Sequence, residues 1–85
     1  MYELSAAVRI TRNENGGVVL DINNGKVFRL NTVAALIFER LQERQTEIQI
    51  SEHLSRQFNI SVPTVHGDIV EFLKSLERQG LVRAT

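Results

Sequence analysis

The segment "GGVVLDINNGKVFRLNTVAALIFERL", Gly16 to Leu41, decides the fold. Val18, Leu20 and Ile22 alternate with Val19 and Asp21, the two-residue period of a strand with unlike faces. Asn23-Asn24-Gly25 supplies residues that tolerate the positive φ of a tight hairpin. A second strand follows from Lys26 to Leu30, with Phe28 and Leu30 on one face and Val27 and Arg29 on the other. Asn31 or Thr32 can cap the next helix, and Val33, Ala34, Leu36, Ile37, Phe38 and Leu41 give it a broad apolar stripe.

Upstream, Val8 and Ile10 alternate with Arg9 and Thr11, which adds a half-buried strand ending near Arg12, and "NENGG", Asn13 to Gly17, reads as a turn. In a simple meander the strand Lys26–Leu30 then lies at an edge, where unpaired N–H and C=O groups invite another chain. Downstream, the polar run Glu43 to Gln45 ends the first helix. Thr46 and Gln49 form a capping-box pattern for a second helix, along which Ile50, Leu54 and Phe58 recur at i, i+4 until Asn59 closes it. Ser61 and Pro63 suit the start of a third, one hydroxyl to cap free N–H groups and one residue with no N–H to waste. Its stripe is Val65, Ile69, Phe72, Leu73 and Leu76, and Gly80-Leu81 predicts a Schellman ending with Leu81 folded back on Leu76. The order β-β-β-α-α-α makes an α+β fold, winged helix-turn-helix-like, with a three-stranded antiparallel sheet followed by three helices.

An 85-residue chain that is 42% hydrophobic fits a single domain, residues 1–85, because a chain this size buries only about 60–65% of its unfolded surface around one core. Ten basic and ten acidic residues cancel, so no global field selects nucleic acid, an anionic membrane or an acidic substrate. Cysteine is absent, which excludes disulfides and thiol catalysis. "MYELSAAVRITR" has no basic n-region and no apolar run for a signal peptide or a membrane span, and the expectation is a cytoplasmic protein.

Catalytic chemistry is not expected, nor any cofactor or metal. His53 and His66 lie thirteen residues apart on different helices with no cysteine to complete a metal set. Ser51, Ser55, Ser61 and Ser75 have no histidine-plus-acid arrangement that would activate a nucleophile. "NENGG" lacks the lysine and spacing of a phosphate loop, and Glu39 and Glu43 sit among Arg40 and Arg44 as a mixed-charge wet face.

Two helices joined by a short link beside a small sheet make DNA binding the alternative function. The charges oppose it. The third helix sets Lys74 and Arg78 against Asp68, Glu71 and Glu77, and its first two turns hold no lysine or arginine for phosphates.

From about Val8 to Val82 the chain resembles the PqqD-like family, the precursor-peptide recognition elements of ribosomally made, post-translationally modified peptides (RiPPs). The likeness rests on "VVLDINNGKVFRLNTVAALIFERL", "TEIQISEHLSRQFNIS" and "DIVEFLKSLERQGLV" in that order. Its spacing is similar to the discrete recognition proteins of lasso-peptide clusters and to stand-alone PqqD. The resemblance implies a winged-helix-like fold that binds a leader peptide as an extra antiparallel strand on the third strand, in a groove against the third helix. It also implies as partners a precursor peptide and a modifying enzyme or leader peptidase, with no nucleic acid and no membrane. The expected leader-binding residues are Lys26, Val27, Phe28, Arg29 and Leu30 on the strand and Val65, Asp68, Ile69 and Phe72 on the helix. The strand is expected to pair through the backbone of Val27, Phe28, Arg29 and Leu30, with the Phe28 and Leu30 side chains in the core. Asp68 has two readings, an acceptor for the peptide or an acid favoured by its own helix dipole. Phe72 likewise reads as a peptide contact or as an ordinary core aromatic.

Overall fold

The computed structural model describes residues 1–85, in the order β1 (Tyr2–Leu4), β2 (Val8–Asn13), β3 (Gly16–Asp21), β4 (Lys26–Leu30), α1 (Thr32–Gln42), α2 (Glu47–Phe58), α3 (Val62–Arg78) and β5 (Val82–Ala84). The expected sheet is present: β2, β3 and β4 are antiparallel neighbours in chain order, and β4 has a free edge. Pairing of Ile10 with Val19 and of Val19 with Phe28 puts these three on one face. That face meets the helices, with Val8 and Val19 buried and Ile10, Phe28 and Leu30 packed partly buried against the same core. Arg9, Thr11, Val18, Leu20, Val27 and Arg29 occupy the opposite face. Asp21 therefore points inward, and its carboxylate accepts hydrogen bonds from the Asn24 backbone N–H at 3.3 Å and from Asn24 Nδ2 at 2.8 Å. Those bonds offset much of the cost of burying the acid.

The turns differ from expectation in extent. β2 continues to Asn13 and β3 begins at Gly16, so the first turn is only Glu14-Asn15, and Ile22 falls just beyond β3. Gly16 belongs to the strand because β4 ends against it: a Cβ there would lie 2.0 Å from the Leu30 carbonyl oxygen, and its φ is +134°. Gly25 has the expected positive φ, +62°, with open space around it. Gly25→Val should therefore cost about 1–2 kcal/mol through backbone strain alone, lowering Tm by roughly 4–15 °C. An unchanged thermal melt would contradict a left-handed residue in that turn.

β1 and β5 are absent from the sequence reading. They pair antiparallel, Glu3 opposite Arg83, and the Arg83 guanidinium meets the Glu3 carboxylate at 2.6 Å. Three-residue strands are too short to display a period, and their partners stand about eighty residues apart.

The helices start and stop largely where their end residues require. Asn31 caps α1, its Oδ1 accepting from the Ala34 N–H at 2.8 Å. Thr46 and Gln49 form the full reciprocal box at α2, and Asn59 ends that helix in the left-handed conformation. Ser61 does stand at the N-cap of α3, but its hydroxyl donates to Thr64 Oγ1 and leaves the helix N–H groups uncapped by a side chain. The Schellman ending is present, with the Leu81 N–H bonded to Leu76 O and that of Gly80 to Glu77 O. Leu36, Ile37, Phe38, Leu41, Ile50, Leu54 and the α3 stripe from Val65 to Leu76 close the core. Phe38 of α1 meets Phe72 of α3 edge to face, centroids 6.3 Å apart.

Candidate functional site

One hydrogen bond fixes what the free edge offers. The Ile22 N–H donates to Ala7 O, so along β3 the residues in phase with Ile22, namely Leu20 and Val18, turn their amides toward β2. Asp21, Val19 and Gly17 then face β4, opposite Lys26, Phe28 and Leu30. Lys26, Phe28 and Leu30 consequently spend their N–H and C=O groups inside the sheet. Val27 and Arg29 aim theirs at solvent. This corrects the expectation that Phe28 and Leu30 pair outward along with Val27 and Arg29, because strand geometry allows each residue one neighbour only. The open edge presents two N–H donors and two C=O acceptors.

Where β4 stops, an apolar recess begins. Asn31, the residue after β4, is on its wall, together with Val33, Ala34 and Ile37 of α1, Leu54 and Phe58 of α2, Ile60, and Val65, Asp68, Ile69 and Phe72 of α3. Its volume is about 460 Å³. All four expected α3 residues therefore come together. Val65 and Ile69 are buried and form the floor, Phe72 is half-buried, and Asp68 is exposed. The five β4 residues do not line the recess but lead up to it along the chain.

The Phe72 ring packs on Phe38 and also lines the recess, so it serves the core and leaves a flank open to a ligand. Asp68 lies beyond the first turn of α3, where the helix dipole has faded, and its carboxylate has no cationic partner among the ion pairs of the chain. It is the one charged group on the wall, where Asn31 is the only other polar residue.

Sequence reasoning missed the lip of the recess. Val33, Phe58 and Ile60 are exposed, although Val33 and Phe58 belong to apolar stripes that read as core; Ile60 lies in the link between α2 and α3. Phe58 continues Ile50 and Leu54 at i, i+4 beyond the point where α3 covers α2, so the stripe ends in the open. Ile60 is held in place by two bonds across the α2–α3 link: its N–H donates to Ser55 O at 3.2 Å, and its carbonyl accepts from the Ser55 hydroxyl. A stripe longer than its partner helix can cover is the signal that would have found Phe58.

The other candidates do not converge. His53 Nε2 contacts Arg40 Nη2 at 2.5 Å in the α1–α2 contact, and His66 stands apart on α3. No three His, Asp or Glu side chains gather as metal ligands. Lys74 and Arg78 do not line the recess. No helix is long and apolar enough to cross a membrane.

A free strand edge running up to an apolar recess, on a small α+β scaffold, defines a recognition domain for an extended ligand. The chain belongs to the PqqD family: the family model for coenzyme PQQ synthesis protein D matches residues 16–82. Its fold is that of TbiB1 in complex with the TbiA(beta) leader peptide, with a TM-score of 0.91, 25% identity, and coverage of 98% of this chain and 96% of that one. A lasso peptide synthetase B1 complexed with the leader peptide matches with a TM-score of 0.87, 24% identity and 98% of each chain covered. The PqqD truncation of Methylobacterium extorquens PqqCD, a functional and stand-alone RiPP recognition element, matches with a TM-score of 0.82 at 22% identity over 98% of this chain and 88% of that one. No curated protein matches the chain by sequence.

Proposed function

We propose that this chain is a peptide-binding adaptor rather than a catalyst. It captures the leader segment of a ribosomally made precursor peptide and presents it, in the cytoplasm, to a modifying enzyme or leader peptidase. The leader adds as a strand to β4 through Val27 and Arg29. Neighbouring leader side chains enter the recess of Val65, Asp68, Ile69 and Phe72. The observation that carries this reading is the unpaired edge of β4 ending at that recess. The leader-bound structures of TbiB1 and of the lasso peptide synthetase B1, which share the fold, support it.

Magnitudes explain why both parts are required. Four backbone bonds at ~0.5–1.5 kcal/mol each contribute roughly 2–6 kcal/mol. Ordering a flexible peptide costs about 2–5 kcal/mol, which cancels most of that. One apolar side chain seated in the recess adds about 1.5–3 kcal/mol, so the recess sets the affinity and the sequence preference.

The test is titration of fluorescently labelled candidate leader peptides, drawn from short reading frames in the neighbourhood of the gene, at low and high salt. Binding should change little with salt, because backbone bonds and apolar burial dominate. A duplex DNA probe would lose affinity steeply under the same change if phosphate contacts operated. Replacing Lys74 and Arg78 together by alanine should leave leader affinity within about twofold, as for surface positions remote from the contact. A large loss on that double change would mean the peptide crosses the other side of α3.

A further inference from the structure

The cations of the sheet are unequally employed. Arg12 and Lys26 lie on the face toward the helices, Arg12 paired with Glu39 of α1. On the outer face Arg9 folds back on its own backbone, its Nη1 donating to Ala6 O at 2.8 Å and to Val8 O at 3.0 Å. Arg29 is the other cation of that face, exposed on the edge strand β4 and absent from every ion pair of the chain. Its planar fork of N–H donors is left for an outside acceptor.

Arg29 also lines a polar recess of about 270 Å³, together with Asn13, Asn15, Gly17, Val18 and Leu30. Asn13 spends its Oδ1 on the Asn15 N–H at 2.9 Å, so its Nδ2 is the group left to donate. Glu14, in the adjoining turn, is exposed, lies outside this lining and pairs with no cation. A guanidinium and an amide NH₂ with no acid among them suit a carboxylate side chain. Placement decides whose carboxylate it is, because Arg29 aims its backbone at the open edge of β4. A strand added antiparallel there sets one residue directly opposite Arg29 in a hydrogen-bonded pair, both side chains on one face with Cβ atoms about 5 Å apart. The added strand runs the other way, so the residue opposite Val27 comes two positions later, and the one between them turns toward the helices.

We propose that Arg29 fixes the register and the charge of the captured peptide: the leader residue opposite it is an aspartate or glutamate, and the residue two positions on, opposite Val27, is apolar. The inference rests on the leader-capture reading and deepens it. A slip of one residue along β4 would turn every leader side chain to the wrong face. The recess against α3 grips side chains on the helix side only, and Arg29 supplies a fixed point on the other side. A lysine or arginine opposite it is rejected by like charge. Val27 is 64% exposed and pairs across the sheet with Leu20, 41% exposed, so the later position meets apolar surface. One exposed ion pair adds little to total affinity and leaves the salt dependence of capture shallow. Its effect is on which peptide binds, and in which register.

The experiment takes a candidate leader peptide that binds the wild-type chain and prepares it with glutamate, and separately with lysine, at each position in turn. Each labelled peptide is titrated against wild type, Arg29→Glu and Arg29→Gln at low and high salt, with thermal melts to establish that the variants fold. One position should stand out: there glutamate binds wild type about fivefold more tightly than lysine does, and Arg29→Glu reverses the order. Arg29→Gln should abolish the preference without reversing it, and high salt should shrink it. Two positions on toward the C-terminus, either charge should weaken binding to all three chains. Folded chains that bind leader with no position that reverses would overturn this inference and leave the capture reading standing. A reversal spread over many positions would overturn it as well, because the charge would then act as a diffuse field. Failure of every candidate leader to bind wild type would strike the capture reading itself, and this inference with it.

Discussion

A chain carrying Val27→Pro should melt close to the wild-type temperature and capture the leader roughly 5- to 150-fold more weakly, whereas Phe28→Pro should unfold the domain. The two adjacent positions differ because the Val27 N–H faces the open edge and the Phe28 N–H faces Val19. Proline deletes one donor, and its ring crowds the incoming strand and leaves a leader carbonyl unpaired. That loss amounts to about 1–3 kcal/mol, or roughly 5- to 150-fold in Kd. Val27→Ala keeps the donor and should stay within about threefold of wild type. At Phe28 the same change breaks a bond of the sheet and removes a half-buried ring packed on the core, together about 3 kcal/mol or more. Thermal melts and leader titrations on the same samples separate the outcomes. If both proline variants fold and bind normally, the peptide does not add at β4.

Gly16→Ala should be the most damaging single-methyl change in the chain. The added Cβ would stand 2.0 Å from Leu30 O and 2.8 Å from the Asn31 carbonyl carbon, both backbone atoms that cannot rotate away. The φ of +134° adds strain for any residue with a side chain. Relief requires moving the corner where β4 ends and Asn31 caps α1, at an expected cost of about 3 kcal/mol or more. For a domain of this size that lowers Tm by roughly 12–24 °C. The same corner joins the binding edge to the recess, so any folded fraction should also hold the leader poorly. Gly25→Ala, with nothing within 4 Å of its Cβ, is the control for losing a glycine of positive φ without a clash. Equal melting temperatures for the two variants would rule out the close approach at Gly16.

What the sequence discloses follows from how local each cause is. The Asn23-Asn24-Gly25 turn, the Thr46/Gln49 box, Asn59 and the Gly80-Leu81 ending are written within a few residues, and each is legible. Pairing of β1 with β5 is not, because neither trio carries a pattern until the fold brings Glu3 to Arg83. Gly16 looks like a turn residue from its neighbours, while its reason lies with Leu30 on another strand. The α3 half of the site was readable as a stripe facing core and groove together. The lip of Val33, Phe58 and Ile60 was not, since exposure depends on where the neighbouring helix runs out. The outward phase of Val27 and Arg29 also needed a tertiary fact, the bond from Ile22 to Ala7.

The clasp of β1 against β5 has a consequence for how such a domain can be built into larger chains. The Thr85 N–H donates to Met1 O at 2.8 Å, so the two ends of the described chain leave from one corner. A polypeptide entering and leaving at a single point can be inserted into the surface loop of a host protein without prising the host apart. It can equally be rewired, its ends bridged by a short spacer and the backbone reopened at the polar link between α1 and α2. The β4 edge and the recess involve no residue of the clasp, and they would survive either rearrangement as a portable module.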